Sequence, residues 1–140
     1  MSVVNIAEFP DPGVRAPTIL IVEDEPLIRL SISNFLQECG FIVLEASNVS
    51  EAKECVSQGL KIGLVFSDVQ IPGSVDGFGL AIWIRLHRPG MPIILASGYT
   101  RIADIAQELC AGAPFFKKPY DLNIVVAKIR QTLSACKTGT

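Results

Sequence analysis

A chain of 140 residues with 49% hydrophobic side chains suits about one domain with a full core. Its formal charge of −2 and sequence pI near 5.3 leave no electrostatic footprint for nucleic acid or an anionic membrane surface. Four cysteines, Cys39, Cys55, Cys110 and Cys136, form no CxxC pair and have a single histidine, His87, to help them bind metal, so reduced thiols in a reducing compartment are the simplest reading.

Residues 1–17 contain Pro10, Pro12, Gly13 and Pro17 without apolar periodicity and read as a flexible or loosely docked arm. The N-terminus has no basic segment ahead of an apolar one, and no apolar run approaches the ~18 residues that span a bilayer. A cytoplasmic protein is expected, with a protein or small molecule as partner. Folding begins at Thr18, where Thr18-Ile19-Leu20-Ile21-Val22 predicts a strand that ends in Glu23-Asp24-Glu25. Pro26 suits the first position of a helix, where its missing N–H is not needed, and Gly40 suits the residue beyond its end. Further strand-length apolar runs at 41–46, 64–67, 92–96 and 114–116 alternate with stretches whose apolar residues recur at helical spacing.

The run Leu64-Val65-Phe66-Ser67 is closed by Asp68, with Pro72-Gly73 soon after. Residues 78–86 are apolar almost all round, which predicts a deeply buried helix or an interface, and Trp83 keeps the interface in view. The fourth run ends in Ser97-Gly98, and Ile102, Ile105, Ala106 and Leu109 then mark a helix. The fifth ends in Lys117-Lys118-Pro119. Leu122, Val125, Val126, Ile129 and Leu133 fall on one face of the last helix, leaving residues 135–140 as a short tail.

Short strand–helix connections force parallel strands, and right-handed crossovers put helices on both faces of the sheet. The expected fold is an α/β, three-layer, doubly wound domain over residues 18–134. Ligands bind such sheets outside the carboxyl ends of the strands, where Glu23, Asp24, Asp68, Ser97 and Lys118 all fall. Three carboxylates brought together repel one another unless a proton or cation sits among them. A hard divalent ion, most naturally Mg²⁺, meets that need and leaves positions for a phosphoryl oxygen. Asp68 is then a candidate carboxylate nucleophile, with Lys118 and Ser97 available to neutralise and hydrogen-bond the remaining phosphoryl oxygens.

Plainer readings exist for each residue. A strand-end acid often caps the next helix, which accounts for Asp24 but not for three acids together with Lys118. Ser-Gly is common turn chemistry. Pro119 restricts the residue before it and admits a cis bond, fixing where Lys118 points, while Lys117 is expected to face solvent. His87 reads as a surface or cap residue.

Residues 18–133 resemble the receiver domain of two-component response regulators. The likeness rests on Glu23-Asp24 after the first strand, Asp68 ending the third and followed by Val69-Gln70-Ile71-Pro72, Ser97 ending the fourth, and Lys118-Pro119 after the fifth. It implies a stand-alone, flavodoxin-like domain of strand order 2-1-3-4-5. It also implies Asp68 as phosphoacceptor, and Mg²⁺ held by Glu23, Asp24, Asp68 and the Gln70 backbone carbonyl. The phosphoryl donor would be a histidine kinase or histidine phosphotransfer protein. The receiver would catalyse its own modification and later lose the phosphoryl to water. Output to a downstream protein would leave by the surface of the fourth strand, the following helix and the fifth strand, with Phe115 as switch aromatic and Tyr99, Ile102 and Tyr120 beside it. A monomer or weak dimer is implied.

Two departures stand out: Gly73-Ser74-Val75 makes the loop before Asp76-Gly77 one residue longer than the family's, and the first acid is Glu instead of Asp. Segments 97–100 and 114–120 further resemble a subgroup of stand-alone receivers with Gly-Tyr after the fourth strand and a Lys-Pro-Tyr ending. A receiver-like interaction module that uses no phosphate is the alternative. A phosphatase of the haloacid-dehalogenase type would want an Asp-x-Asp, which Val69-Gln70 does not supply.

Overall fold

Central strands of a parallel sheet are covered on both faces and need nearly continuous apolar side chains. β1 (Thr18–Val22), β3 (Leu64–Asp68) and β4 (Ile93–Ser97) meet that demand with almost every residue buried. β2 (Ile42–Ala46) and β5 (Phe115–Lys117) are the more exposed edges. The computed structural model describes residues 16–69, 76–97 and 114–138. All pairings are parallel, in the order β2-β1-β3-β4-β5, which is the arrangement the resemblance implies. Each strand lies within one residue of its predicted run. Asp68 and Ser97 are the last residues of their strands, so the sheet itself fixes their backbones.

Four helices stand among the described residues: α1 (Pro26–Glu38), α2 (Val49–Ser57), α3 (Asp76–His87) and α4 (Leu122–Thr138). Pro26 opens α1, and Gly40 follows its end at φ 96°, a left-handed conformation that glycine adopts without strain. Glu25, not Asp24, occupies the N-cap position of α1, and it makes no side-chain capping bond. Asn48 caps α2 by accepting the Glu51 N–H at 2.8 Å. The helix predicted around Ile102–Leu109 lies outside the described residues, as do residues 1–15. At the end of the expected arm, the Pro17 carbonyl accepts the Ile42 N–H at 2.9 Å. α4 continues past its apolar repeat to Thr138, into the segment expected as a tail.

On one face of the sheet, Ile32 and Leu36 of α1 and Val125, Val126 and Ile129 of α4 pack on Ile19, Ile21, Phe66 and Ile94. On the other, Ala52 and Val56 of α2 and Leu80 and Ile84 of α3 pack on Leu20, Val22 and Val65. Of the two readings offered for α3, the structure gives a mixture: Leu80, Ala81 and Ile84 are buried, but Leu86 is 72% exposed. Trp83 packs half-buried against the α2-side core. Its ring stacks on His87 at 4.4 Å, and Lys53 Nζ lies 5.7 Å from its centroid. His87 also donates from Nδ1 to the Trp83 carbonyl at 2.9 Å, the cap-like surface role expected of it.

α4 offers a direct test of this layering, since Ile129 is fully buried and Ile124 is 60% exposed on the same helix. Ile129→Ala should lower the unfolding free energy by about 2–5 kcal/mol, and Ile124→Ala should change it by no more than about 0.5 kcal/mol. Urea titration of the two variants measures the difference; equal losses would contradict the layering.

Candidate functional site

The carboxyl edge of the sheet gathers the polar residues that the strand ends carry. Glu23 follows β1 directly. Its N–H donates to the Ala46 carbonyl at 3.0 Å, its own carbonyl accepts Arg29 Nη1 at 2.8 Å, and its Oε2 accepts the Glu25 N–H at 3.1 Å. Three residues, two nearby in the chain and one on β2, thus settle one glutamate. Its side chain is 3% exposed, against 11% for Asp68 at the tip of β3. Asp24 is exposed, and carboxylate oxygens of Glu23, Asp24 and Asp68 lie within 4.8 Å of one another.

Lys118 enters from the other side. Its N–H donates to the Ser97 carbonyl at 2.7 Å, which extends the β4–β5 pairing one residue beyond the register Ser97↔Lys117. The Lys118-Pro119 peptide is cis. Lys118 Nζ reaches Asp68 Oδ1 at 2.8 Å and Glu23 Oε1 at 3.4 Å, while Lys117 faces solvent. Ser97 is fully buried beside them. Every strand-end residue named from the sequence as site chemistry therefore converges on one edge.

Burial sets the electrostatics. It pushes the Glu23 carboxyl above its ordinary value, with the Asp68 charge adding to the rise and the Glu25 amide opposing it. Burial likewise raises Asp68, with Asp24 reinforcing; the Lys118 hydrogen bond and charge offset this only in part. For Lys118, burial alone would lower the pKa, but the hydrogen bond to Asp68 and the charges of Asp68 and Glu23 together raise it. Burial thus disfavours the charges of Glu23 and Asp68, while those same carboxylates favour the charge of Lys118. Such a donor set fits a divalent cation, which replaces protons as the counter-charge.

The aromatic residues divide. Phe115 opens β5 and packs on the α3 side with Val69, Ala81 and Leu95. Tyr120 packs on the opposite side with the α1/α4 cluster, its ring edge-on to Phe66 at 5.8 Å, and burial pushes its phenol up to about 12. The sequence reading groups the two on one surface, but Tyr120 lies beyond the end of β5 and the cis Lys118-Pro119 peptide, and the two rings end on opposite layers. Gln70, Tyr99 and Ile102 lie outside the described residues. Arg29 and Glu45, joined by Arg29 Nε to Glu45 Oε1 at 3.1 Å, adjoin the site without having been named from sequence. The available signal was a cation in the first turns of a helix, where the macrodipole disfavours it.

The model of the response regulator receiver domain family matches residues 19–130. The chain belongs to this family. The receiver is 32% identical over 117 residues to a cyclic di-GMP phosphodiesterase of Thermotoga maritima, aligning over 83% of this chain and 31% of that protein. It is 34% identical over 119 residues to a transcriptional activator protein of Pseudomonas putida, over 83% of this chain and 55% of that one. The receiver thus spans about half or less of the length of these curated relatives. Among solved structures, a Thermotoga maritima response regulator crystallised in complex with Mg²⁺–BeF is similar at a TM-score of 0.72. It is 28% identical, with 83% of this chain and 98% of that chain covered. Receiver domains bind Mg²⁺ at an acidic pocket, and Glu23, Asp24 and Asp68 form such a pocket here. Among the described residues, no helix is long and apolar enough to cross a membrane.

The raised acids fix the sign of a pH effect. Glu23 and Asp68 have folded-state pKa values above the ordinary 4.5 and 3.8. The native state therefore binds more protons than the unfolded chain through that window. Their stabilisation is complete below the ordinary values and is lost as pH rises through the raised ones. Lys118 is also raised, so its share persists until pH climbs past 10.5. In metal-free protein, Asp68→Asn should flatten the fall in stability that accompanies rising pH through the carboxylate range, and raise the melting temperature at neutral pH. Thermal unfolding across pH 4 to 8 checks this (~4 units around the carboxylate range), and a lower neutral-pH melting temperature in Asp68→Asn would refute it.

Proposed function

We propose that this receiver is a phosphoacceptor of a two-component or phosphorelay system, taking a phosphoryl group onto Asp68 from a phosphohistidine of a histidine kinase or phosphotransfer protein. An oxygen of Asp68 attacks phosphorus, the P–N bond breaks, and the imidazole leaves with a proton. The Lys118 ammonium, already 2.8 Å from Asp68 Oδ1, follows the charge onto a phosphoryl oxygen, and the Ser97 hydroxyl donates to another. Mg²⁺, held by Glu23, Asp24, Asp68 and the Gln70 carbonyl, would supply the charge that lets three carboxylates and a phosphoryl group share one space. Hydrolysis of the acyl phosphate resets the receiver.

The observation that supports this most is the joint placement of three carboxylates within 4.8 Å and a lysine bonded to the central one. An isolated acid at a strand tip would carry far less. The relative solved with Mg²⁺ and BeF, the latter a stand-in for phosphoryl, lends support from a similar fold. Output through a downstream protein is assigned to the surface of β4, the segment after it and β5, including Tyr99, Ile102 and Phe115, with Tyr120 behind it in the other layer. Phe115 and Tyr120 would report to it from opposite layers.

Incubation with a small phosphodonor and Mg²⁺ should add one phosphoryl group by intact-mass measurement, and both Asp68→Asn and chelation of divalent ions should abolish the addition. Lys118→Ala should slow labelling by about 10²-fold, the scale of losing one charge-stabilising donor. Unchanged labelling of Asp68→Asn would sink the proposal. A protein that binds its partner but takes up neither Mg²⁺ nor phosphoryl would be an interaction module instead.

A further inference from the structure

Arg29 is the fourth residue of α1, a position where the helix dipole is unfavourable to a cation by about 0.3–1 kcal/mol. Its side chain is nevertheless drawn down to 20% exposure. Two separate donors hold it: Nη1 bonds the Glu23 carbonyl at 2.8 Å, and Nε bonds Glu45 Oε1 on β2 at 3.1 Å. The planar guanidinium offers donors in fixed, divergent directions, which a lysine ammonium cannot reproduce. The carbonyl it grips belongs to the peptide plane that also contains the Asp24 nitrogen. Asp24 and Glu25 lie in the bend between β1 and α1, beyond the last β1–β2 register pair, Val22↔Ala46. The Glu23 N–H holds the near side of this turn through Ala46, and Arg29 holds the far side.

We propose that Arg29 is a positioning residue for the metal site: it locks the Glu23–Asp24 peptide, and so keeps the Asp24 carboxylate beside Asp68. This rests on the Mg²⁺ reading above. Partners that orient metal ligands from behind govern affinity by about 10–100-fold. The charge of Arg29 acts in the other direction, because a cation near three carboxylates repels Mg²⁺. Positioning and simple electrostatics therefore predict opposite signs.

Calorimetric titration of Mg²⁺ into the purified chain, its Arg29→Gln and Arg29→Lys variants, and Glu45→Gln separates them, with thermal unfolding run on each. Arg29→Gln should weaken Mg²⁺ binding by about tenfold. Arg29→Lys should restore part of the loss, and Glu45→Gln, which frees the second anchor while keeping the arginine, should weaken binding by less than Arg29→Gln. Tighter or unchanged Mg²⁺ binding in Arg29→Gln would overturn the proposal while leaving the metal site standing. Absence of Mg²⁺ binding in the parent chain would overturn both. If Arg29→Gln does not fold, unchanged affinity in both Arg29→Lys and Glu45→Gln overturns it in the same way.

Discussion

The Lys118 ammonium, shared between Asp68 and Glu23, is the contact on which the carboxyl edge of this domain depends. Burial works against the charged form of each carboxylate, and the shared lysine offsets part of that cost. The lysine can serve only if the short β5 delivers it. Three residues of β5 pair with β4, and the Lys118 N–H adds a further bond to Ser97. An edge strand of three residues is thus pinned at the residue that matters to the site. The layers beneath, with α1 and α4 on one face and α2 and α3 on the other, keep the five strand ends in line.

The same edge is tense without a counter-ion. Acids held above their ordinary pKa values lower the stability of the fold at neutral pH, a burden common where a site is shaped for function more than for stability. Glu23 tolerates its burial because nearly every polar atom around it has a bond: to Ala46, Arg29, Glu25 and Lys118. Asp24 stands at the surface. The acidic pair therefore combines a buried, fully bonded member with an accessible one, a division of labour in which the first fixes the turn and the second faces arriving solutes.

Much of this was legible in the sequence, for definite reasons. Parallel strands buried on both faces leave uninterrupted apolar runs, so the strands could be located to within a residue. The polar residues at the ends of four of the five runs make up the candidate site, because the topology sends all carboxyl ends to one edge. Pro26 and Gly40 marked α1 because each suits one helix terminus chemically. Other features depended on tertiary contacts that no local pattern encodes. The partner of Arg29, Glu45, comes from β2, sixteen residues away in the chain. Tyr120 looked like a neighbour of Phe115 until the end of β5 turned one into each layer. The helical end of α4 continues beyond Leu133, where the apolar repeat has stopped. Pro17 has no periodic signal, and its link to Ile42 is a backbone bond that any residue could make.

Trp83 has a separate significance. It is the chain's sole tryptophan, it lies late in α3, and it packs on the same core that Met91 and Ile93 cover where β4 begins. Because α3 returns from the carboxyl edge to the amino edge, the indole sits at the end of the sheet remote from Asp68, between His87 and Lys53. Intrinsic tryptophan emission from this protein therefore reads the seam between α2 and α3. It serves as an optical gauge of how tightly that layer is closed, set apart from the chemistry at the opposite rim.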